Sequence, residues 1–212
     1  MGRRIDLNEQ RRELVREQIL NASRRVVLER GVGGLTLSAI ARDLELTKAA
    51  LYYYFDSKDA LIFELSFQAH ANLADAVGAA VAQASSGPEA LEALIRATSR
   101  YFYKNLDDLR LAYMVPQIDL LSQLTPEALA RVRPFNEVMF GSVARLISAD
   151  QGAGRLPKSI DGRRLAFTAH LSVLGVLTME GLVERVNDPL IHVYEAMVDE
   201  LVAAFVGRLK SG

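Results

Sequence analysis

An all-α fold of about nine helices is predicted by three features of this sequence. Ala, Leu, Arg and Glu, which favour helix, dominate the composition. Pro is scarce, at 6 of 212 residues, and Val, Ile and Thr do not form the alternating runs typical of strands. Apolar residues instead recur three and four positions apart. Because 50% of the residues are apolar, the chain can bury a full core.

The first two predicted helices cover 9–30 and 37–44. Apolar residues of the first step by four, three and four, so they share one helical face. Three glycines between positions 31 and 34 end this helix, since glycine costs about 1 kcal/mol relative to alanine inside a helix. Thr36 is a natural N-cap for the second helix, because its hydroxyl can accept a hydrogen bond from a free N–H of the first turn.

The third predicted helix, 48–54, holds an unusual run of aromatic residues and follows an N-cap at Thr47. The stretch LYYYF at 51–55 places four aromatics side by side, although the whole chain has 7 Tyr, 8 Phe and no Trp. Three consecutive tyrosines sweep about 300° of a helix at about 100° per residue. No single core can bury all three, so at least two of them must be exposed.

Two short helices with a three-residue break between them follow the helix-turn-helix plan, whose second helix lies in the major groove of DNA. Leu51 and Phe55 lie four apart and can pack inside, while Lys48 and Tyr52 lie four apart on another face. A phenolic hydroxyl is a good donor to a phosphate oxygen. The alternative is that Tyr54 packs inside and the other two tyrosines are ordinary surface aromatics.

The remaining predicted helices are long and are separated by short loops. They cover 58–84, 88–105, 107–122, 126–149, 161–186 and 188–209. Pro116 should kink or break the helix that contains it, and DQGAGRLPKS at 150–159 is the clearest loop. No internal repeat or low-complexity tract is found.

Residues 16–61 resemble the DNA-binding domain of the TetR family of bacterial transcriptional regulators. The order and the gaps match at Ile19, Ala22, Gly31, Thr36, Ile40, Ala41, Thr47, Lys48, LYYYF at 51–55 and SKDAL at 57–61. The resemblance implies an N-terminal three-helix DNA-binding domain over 1–60, with the helix-turn-helix at about 36–55. It also implies a C-terminal helical bundle over 61–212 for ligand binding and dimerisation.

The resemblance also implies, position by position, which residues contact double-stranded DNA. Thr36 and Lys58 would contact phosphate, and Tyr52 and Tyr53 would contact bases or phosphates. The expected DNA-binding residues are Thr36, Ser38, Thr47, Lys48, Ala49, Ala50, Tyr52, Tyr53, Tyr54 and Lys58. Lys48 is the only charged side chain at the start of the third helix, so we expect phosphate contacts and DNA shape to carry much of the specificity.

Two positions depart from the family pattern. Glu45 stands in the turn where glycine is usual. A positive φ there would cost on the order of 1 kcal/mol and place a carboxylate near DNA, unless the turn is reshaped. Ala49 stands where glycine is common, and helix propensity favours it. Neither departure threatens the fold.

A basic N-terminal segment carries Arg3, Arg4, Arg11 and Arg12. It either reaches the minor groove as an arm or is a solvated, disordered end. The first 60 residues hold 11 Lys and Arg against 9 Asp and Glu, and the other 152 hold 14 against 17. This small asymmetry favours the N-terminal part as the nucleic-acid surface.

The last two predicted helices each carry two apolar faces, more than one subunit's core needs. One helix-turn-helix reads a half-site, so we expect a homodimer through these helices. The candidate interface residues are Leu165, Ala169, Val176, Val198, Val202 and Phe205.

The middle helices concentrate aromatic and methionine residues with a few polar groups, which suits a pocket for a small, mostly hydrophobic effector. The alternative is that these residues are ordinary core and that the histidine at position 170 is a core or interface residue. The candidate pocket residues are Thr98, Tyr101, Phe102, Tyr113, Met114, Gln117, Phe135, Met139 and His170.

Groups for catalysis or metal binding are sparse. The chain has no Cys and 3 scattered His, and it lacks a Gly-rich phosphate loop. We therefore expect no catalytic residue, no metal and no cofactor.

The apolar stretch 165–183 approaches the length of a membrane span, but charges bracket it closely, so a buried or interface helix is favoured. With no apolar leader at its start, a cytoplasmic protein without membrane attachment is expected.

These features favour a ligand-responsive, DNA-binding transcriptional regulator. Within that class, the resemblance to the TetR family implies a repressor that a small hydrophobic effector releases from a palindromic operator. The alternative is a helical adaptor without a small-molecule effector, and an all-helical enzyme is less favoured because no acid, base or nucleophile converges.

Overall fold

The structure, a computed structural model, describes residues 3–114, 125–186 and 193–211. These ranges contain helices and no strand, which confirms the all-α prediction. The α-helices are α1 Arg3–Gly34, α2 Leu37–Asp43, α3 Lys48–Tyr54, α4 Lys58–Val81, α5 Gly87–Lys104, α6 Leu106–Leu109, α7 Pro126–Asn136, α8 Ser142–Gly152, α9 Gly162–Val186 and α10 Tyr194–Ser211. Pro116 lies outside the described residues.

Two of the predicted helices contain a stretch of π-helix. The first stretch, Arg110–Met114, directly follows α6, and the second, Glu137–Gly141, lies between α7 and α8. Pro134 lies inside α7, just before the second stretch. Because proline removes a backbone donor and clashes with the preceding turn, it disturbs the ladder of hydrogen bonds there. The predicted helix 126–149 is therefore two α-helices joined by a π-turn.

The described residues form two compact units. The first unit holds residues up to 69 together with 107–114, and the second unit holds 70–106 with the described residues from 125 onward. Helix α4 contributes residues to both. The functional boundary predicted between residues 60 and 61 stays a prediction.

The core of the first unit is built by α1–α4 and by the π-helical stretch Arg110–Met114. Leu51 is fully buried and Phe55 is 5% exposed, as their four-residue spacing predicts. Leu111 and Ala112 belong to the same buried cluster, although they lie far along the chain from α1–α4. Arg24 of α1 also forms an ion pair with the buried carboxylate of Asp108 in α6. The segment after α5 is thus part of the unit that carries the helix-turn-helix.

Side-chain caps start the three helices that follow α1. The hydroxyl oxygens of Thr36, Thr47 and Ser57 accept from the backbone N–H three residues ahead, at 3.1, 3.0 and 3.0 Å. Each such bond satisfies one free donor of a helix N-terminus and is worth about 1 kcal/mol. The caps predicted at both threonines are confirmed.

Glu45 adopts the left-handed conformation that the turn requires, with a φ of 54°. The N–H of Leu46 donates to the carbonyl of Ala41 at 2.8 Å, and the N–H of Glu45 donates to the carbonyl of Arg42 at 3.3 Å. This is a Schellman closure of α2, for which glycine is the usual residue. The turn is therefore not reshaped, and the strain of the positive φ is present.

The second unit is organised around α5, which packs against α8, α9 and α10. Asp150 of α8 binds the start of α5. Its carboxylate accepts a hydrogen bond from the N–H of Gly87 at 2.7 Å and pairs with Arg155. The bond from Gly87 and then that from Arg155 hold the pKa of this carboxyl below its usual range. A Cβ at Gly87 would lie 2.9 Å from the Cα of Ile147, so the two helices approach closely here.

In the described part of the chain, no helix combines the length and apolarity needed to cross a membrane. This includes the described residues of α9, which contains the apolar stretch 165–183.

Candidate nucleic-acid interface

The starts of α2 and α4 and the whole of α3 carry the predicted DNA-binding residues. Thr36, Ser38, Thr47, Lys48, Ala49, Tyr52 and Tyr53 are exposed, and Ala50, Tyr54 and Lys58 are half-buried. No described residue of this set is buried in the core, so each one keeps a surface for contact.

The three tyrosines divide as the helical geometry predicts. Tyr52 is 42% exposed and Tyr53 is 65% exposed, while Tyr54 packs partly against the core of the first unit. The rings of Tyr53 and Tyr54 meet edge to face, with centroids 5.3 Å apart. The prediction that at least two tyrosines are exposed is confirmed, and Tyr54 is the one that packs inward.

Cationic side chains lie over three of the four consecutive aromatic rings. The Nζ of Lys48 lies 5.8 Å from the ring centre of Tyr52, and the guanidinium carbon of Arg12 lies 5.2 Å from that of Tyr53. Arg16 lies 5.4 Å from the Phe55 ring and pairs with Glu64 at 2.9 Å. A cation over an aromatic face gains about 0.5–1 kcal/mol at an exposed site. The rings of Tyr52 and Tyr53 therefore hold positive charge beside the exposed surface of α3.

The basic N-terminal segment is helical, because α1 begins at Arg3. That this segment reaches the minor groove as an arm stays a prediction, as does its alternative, a solvated end. A groove of about 610 Å³ separates it from the end of α3, lined by Asn8, Glu9, Arg11, Arg12, Val15, Tyr53 and Tyr54. Sequence reasoning missed the pairing of Arg12 with Tyr53, since they lie on helices far apart in the chain.

The predicted pocket residues are distributed over both units. Thr98, Phe102, Met139 and His170 are buried in the second unit, and Tyr101 and Phe135 are half-buried there. Tyr113 belongs to the first unit, where burial raises the pKa of its phenol. Gln117 lies outside the described residues, and only the backbone of Met114 is described. The pocket assignment stays a prediction.

His170 packs edge to face on Phe140, with ring centroids 5.3 Å apart. Burial, and secondarily the nearby His70, lower the pKa of His170 to about 4. The imidazole is therefore neutral at pH 7, which fits a buried side chain. No group of three or more acidic, cysteine or histidine side chains that could hold a metal occurs among the described residues.

The candidate interface residues on α9 and α10 are mostly buried inside the chain. Leu165, Ala169, Val198 and Val202 are between 0% and 8% exposed, and Val176 and Phe205 are half-buried. The exposed apolar residues of α9 are instead Phe167, Leu171 and Met179, at 47%, 49% and 53%. The face of α9 that carries Leu165 and Ala169 therefore packs inside the chain, and the face that carries Phe167 and Leu171 is exposed.

Comparison with known proteins agrees with this geometry. The family model "Bacterial regulatory proteins, tetR family" matches residues 19–65. The chain is 39% identical over 77 residues to the HTH-type transcriptional regulators Rv1816 of Mycobacterium tuberculosis and Mb1846 of Mycobacterium bovis. Each match spans 36% of this chain and 31% of the relative's length.

Solved structures match over nearly the whole chain. A tetR-family regulatory protein from Rhodococcus RHA1 superposes with a TM-score of 0.67 at 19% identity, covering 93% of this chain and 97% of that one. The fatty acid degradation regulator FadR from Bacillus halodurans gives 0.67 at 16%, covering 92% and 96%. AibR, in complex with isovaleryl coenzyme A and operator DNA, gives 0.60 at 20%, covering 89% and 96%. These likenesses show that the fold is shared.

Proposed function

We propose, on the premise that this chain belongs to the TetR family of bacterial transcriptional regulators, that it is a repressor. It leaves a palindromic operator when a small, mostly hydrophobic effector binds. The observation that carries the proposal is the exposed surface of α3, where Lys48 and Arg12 lie over the rings of Tyr52 and Tyr53. A helix that served only the core would have no use for this arrangement.

In the proposed complex, α3 lies in the major groove. Lys48 at its start can donate to the O6 and N7 of guanine, and the methyl group of Ala49 can contact thymine. Tyr52 and Tyr53 donate their hydroxyls to phosphate, while Thr36 and Lys58 hold the backbone at the starts of α2 and α4. Ser38, Thr47, Ala50 and Tyr54 complete the surface.

The helical N-terminal segment adds a second cationic contact in this proposal. Arg12 is already held over Tyr53, and Arg11 lines the same groove. Because guanidinium groups bind phosphate through paired hydrogen bonds, these two arginines would contact the DNA backbone beside α3. Such contacts raise affinity for any duplex and add little sequence information.

We also propose a homodimer through α9 and α10, since one helix-turn-helix reads a half-site. The exposed apolar residues Phe167, Leu171 and Met179 supply the apolar surface for it. Such a surface is typical of a protein–protein interface rather than of a face in water.

Effector control is proposed through α4, because this helix contributes residues to both compact units. An effector shifts the DNA-binding equilibrium only by its different affinities for the two arrangements of the protein. AibR, with its coenzyme A thioester and its operator DNA, is a protein of this fold that holds both types of ligand. An acyl group of similar size would suit the apolar pocket that we propose.

Fluorescence anisotropy tests the DNA-binding half of the proposal. The full chain is titrated against the duplex upstream of its own gene and against a scrambled duplex, at low and high salt. We expect preferential binding that weakens with salt and is abolished in Lys48→Ala and Tyr52→Ala. The matched control is Lys158→Ala, an exposed lysine of the second unit. Absence of binding to any duplex at low salt would contradict the proposal.

A further inference from the structure

The second unit has a groove of about 530 Å³ between α5 and α10 that the proposed function does not use. Arg96, Arg100 and Lys104 line it from α5 at intervals of four residues, which places them on one side of the helix. Pockets for small ligands have volumes of about 300–1,000 Å³. The groove is therefore large enough for a small organic molecule.

Arg96 is already committed to neighbouring carboxylates. Its Nε donates to Glu92 at 2.7 Å and its Nη1 donates to Asp199 at 2.7 Å. These bonds raise its pKa, the one from Glu92 most strongly. Arg100 and Lys104, by contrast, are exposed and form no ion pair with any described residue. The positive charge offered to a ligand therefore comes from these two side chains.

An aromatic platform lies beside the two cations. The rings of Tyr103 and Tyr194 stack with centroids 4.8 Å apart and planes at 21°. The Tyr194 hydroxyl is fixed by a hydrogen bond of 2.8 Å to the hydroxyl of buried Ser99. Tyr103 nevertheless remains 51% exposed and lines the groove, so its ring offers apolar surface to a flat ligand.

Glu195 also lines the groove, from the α10 side. Its carboxylate opposes the accumulation of negative charge, so the site suits one negative charge better than two. A carboxylate matches this requirement, and it also fits the planar fork of an arginine.

We propose that this groove binds an aromatic monocarboxylate, with its carboxylate on Arg100 and Lys104 and its ring against Tyr103. The site lies wholly within the second unit, so the proposal goes beyond DNA binding and does not depend on it. Direct binding to the protein without DNA is the property to be measured.

Isothermal titration calorimetry of the full chain with 2-naphthoate tests this site. We expect the uncharged analogue 2-naphthalenemethanol to bind about tenfold more weakly or worse, because it cannot pair with the cations. The double variant Arg100→Gln/Lys104→Gln should lose affinity for naphthoate by about the same factor. Tyr103→Ala should weaken naphthoate further than it weakens acetate.

The matched control is Lys158→Gln/Lys210→Gln, which removes two exposed cations elsewhere in the second unit and should leave naphthoate affinity unchanged. Circular dichroism checks that each variant is folded. Equal affinity of the groove and control variants, or no heat of binding up to the solubility limit of naphthoate, would overturn the proposal. Displacement of naphthoate by inorganic phosphate at equal concentration would also overturn it, because phosphate offers no ring to Tyr103.

Discussion

Arg24 in α1 forms an ion pair with Asp108 in α6, 84 positions further along the chain. The carboxylate side chain is 4% exposed, and the arginine side chain is 28% exposed. The bond joins α1 to a segment that the predicted domain boundary had placed with the C-terminal bundle. Loss of either side chain therefore acts on the first unit, which also contains α2 and α3.

We expect Arg24→Ala to lower the free energy of unfolding by about 3 kcal/mol, because it leaves a buried carboxylate without its cation. Arg25→Ala is the matched control, since Arg25 pairs with Asp43 at 2.8 Å while both side chains are at least half exposed. An exposed pair contributes about 0–1 kcal/mol. Urea unfolding measures both, and equal decreases would contradict the importance of the buried pair.

Glu45→Gly should raise the free energy of unfolding by about 1 kcal/mol, because glycine adopts the positive φ of this turn without strain. Gly154→Ala is the mirror experiment at the end of α8, where the φ of 73° already belongs to a glycine, and it should destabilise by a similar amount. Glu45→Gln separates charge from strain: it should leave stability unchanged and raise DNA affinity if the carboxylate repels phosphate.

The variant Arg11→Ala/Arg12→Ala tests the cationic contact of α1. The slope of log affinity against log salt is negative, and we expect it to become shallower by about 0.9 for each phosphate that the protein no longer neutralises. The preference for the operator over a scrambled duplex should be retained. Lys48→Ala should instead reduce that preference. If the arginine variant lost specificity and kept its salt slope, the assignment of these arginines to phosphate would be wrong.

His170 should make the protein less stable in mild acid. Its pKa is lowered to about 4 in the folded chain, from an ordinary value of 6.5. Between these two pH values the unfolded chain binds a proton at this histidine and the folded chain does not. The free energy of unfolding therefore declines as the pH falls from about 6.5 towards 4. The full effect is about 3 kcal/mol at about 1.4 kcal/mol for each pKa unit.

Urea unfolding at pH 7 and pH 5 measures this decline, with His170→Gln as the test variant. The variant should be less stable at pH 7 but should show a smaller difference between the two pH values. His70 lies near enough to contribute to the lowered pKa, so His70→Gln should reduce the difference only slightly. An unchanged difference in His170→Gln would rule out this histidine as the cause.

Phe167→Glu/Leu171→Glu should convert a dimer to a monomer, because it places two charges on the exposed apolar face of α9. Leu129→Glu is the control, as Leu129 is an exposed apolar residue of α7 at 52%. Analytical ultracentrifugation distinguishes the two species. A dimer that survives the α9 variant would place the interface elsewhere.

Local chemistry in the sequence predicted the caps and the core positions of the helix-turn-helix, and the resemblance of residues 16–61 to the TetR family identified the motif. Thr36 and Thr47 were predictable as caps, because a hydroxyl just before a helix needs only the free backbone N–H three residues ahead. Leu51 and Phe55 were predictable as core from their four-residue spacing. At Glu45 the sequence left strain and a reshaped turn as alternatives, and the backbone conformation decided between them.

Long-range relationships could not be predicted in the same way. Asp108 carries no local sign that its partner is Arg24, and Leu111 resembles any apolar residue of a long helix. The two apolar faces of α9 looked equivalent in sequence, so only packing could show that the face of Ala169 is used inside the chain. The pairing of Arg12 with Tyr53 likewise depends on how α1 and α3 pack.

The close approach at Gly87 has an evolutionary consequence. A side chain at this position would meet the backbone of Ile147 as well as its side chain. A smaller residue at position 147 would remove only the side-chain part of the clash, so no single compensating substitution can open the position. Relatives that keep this helix crossing should keep the glycine, and relatives without the glycine should have moved the two helices apart.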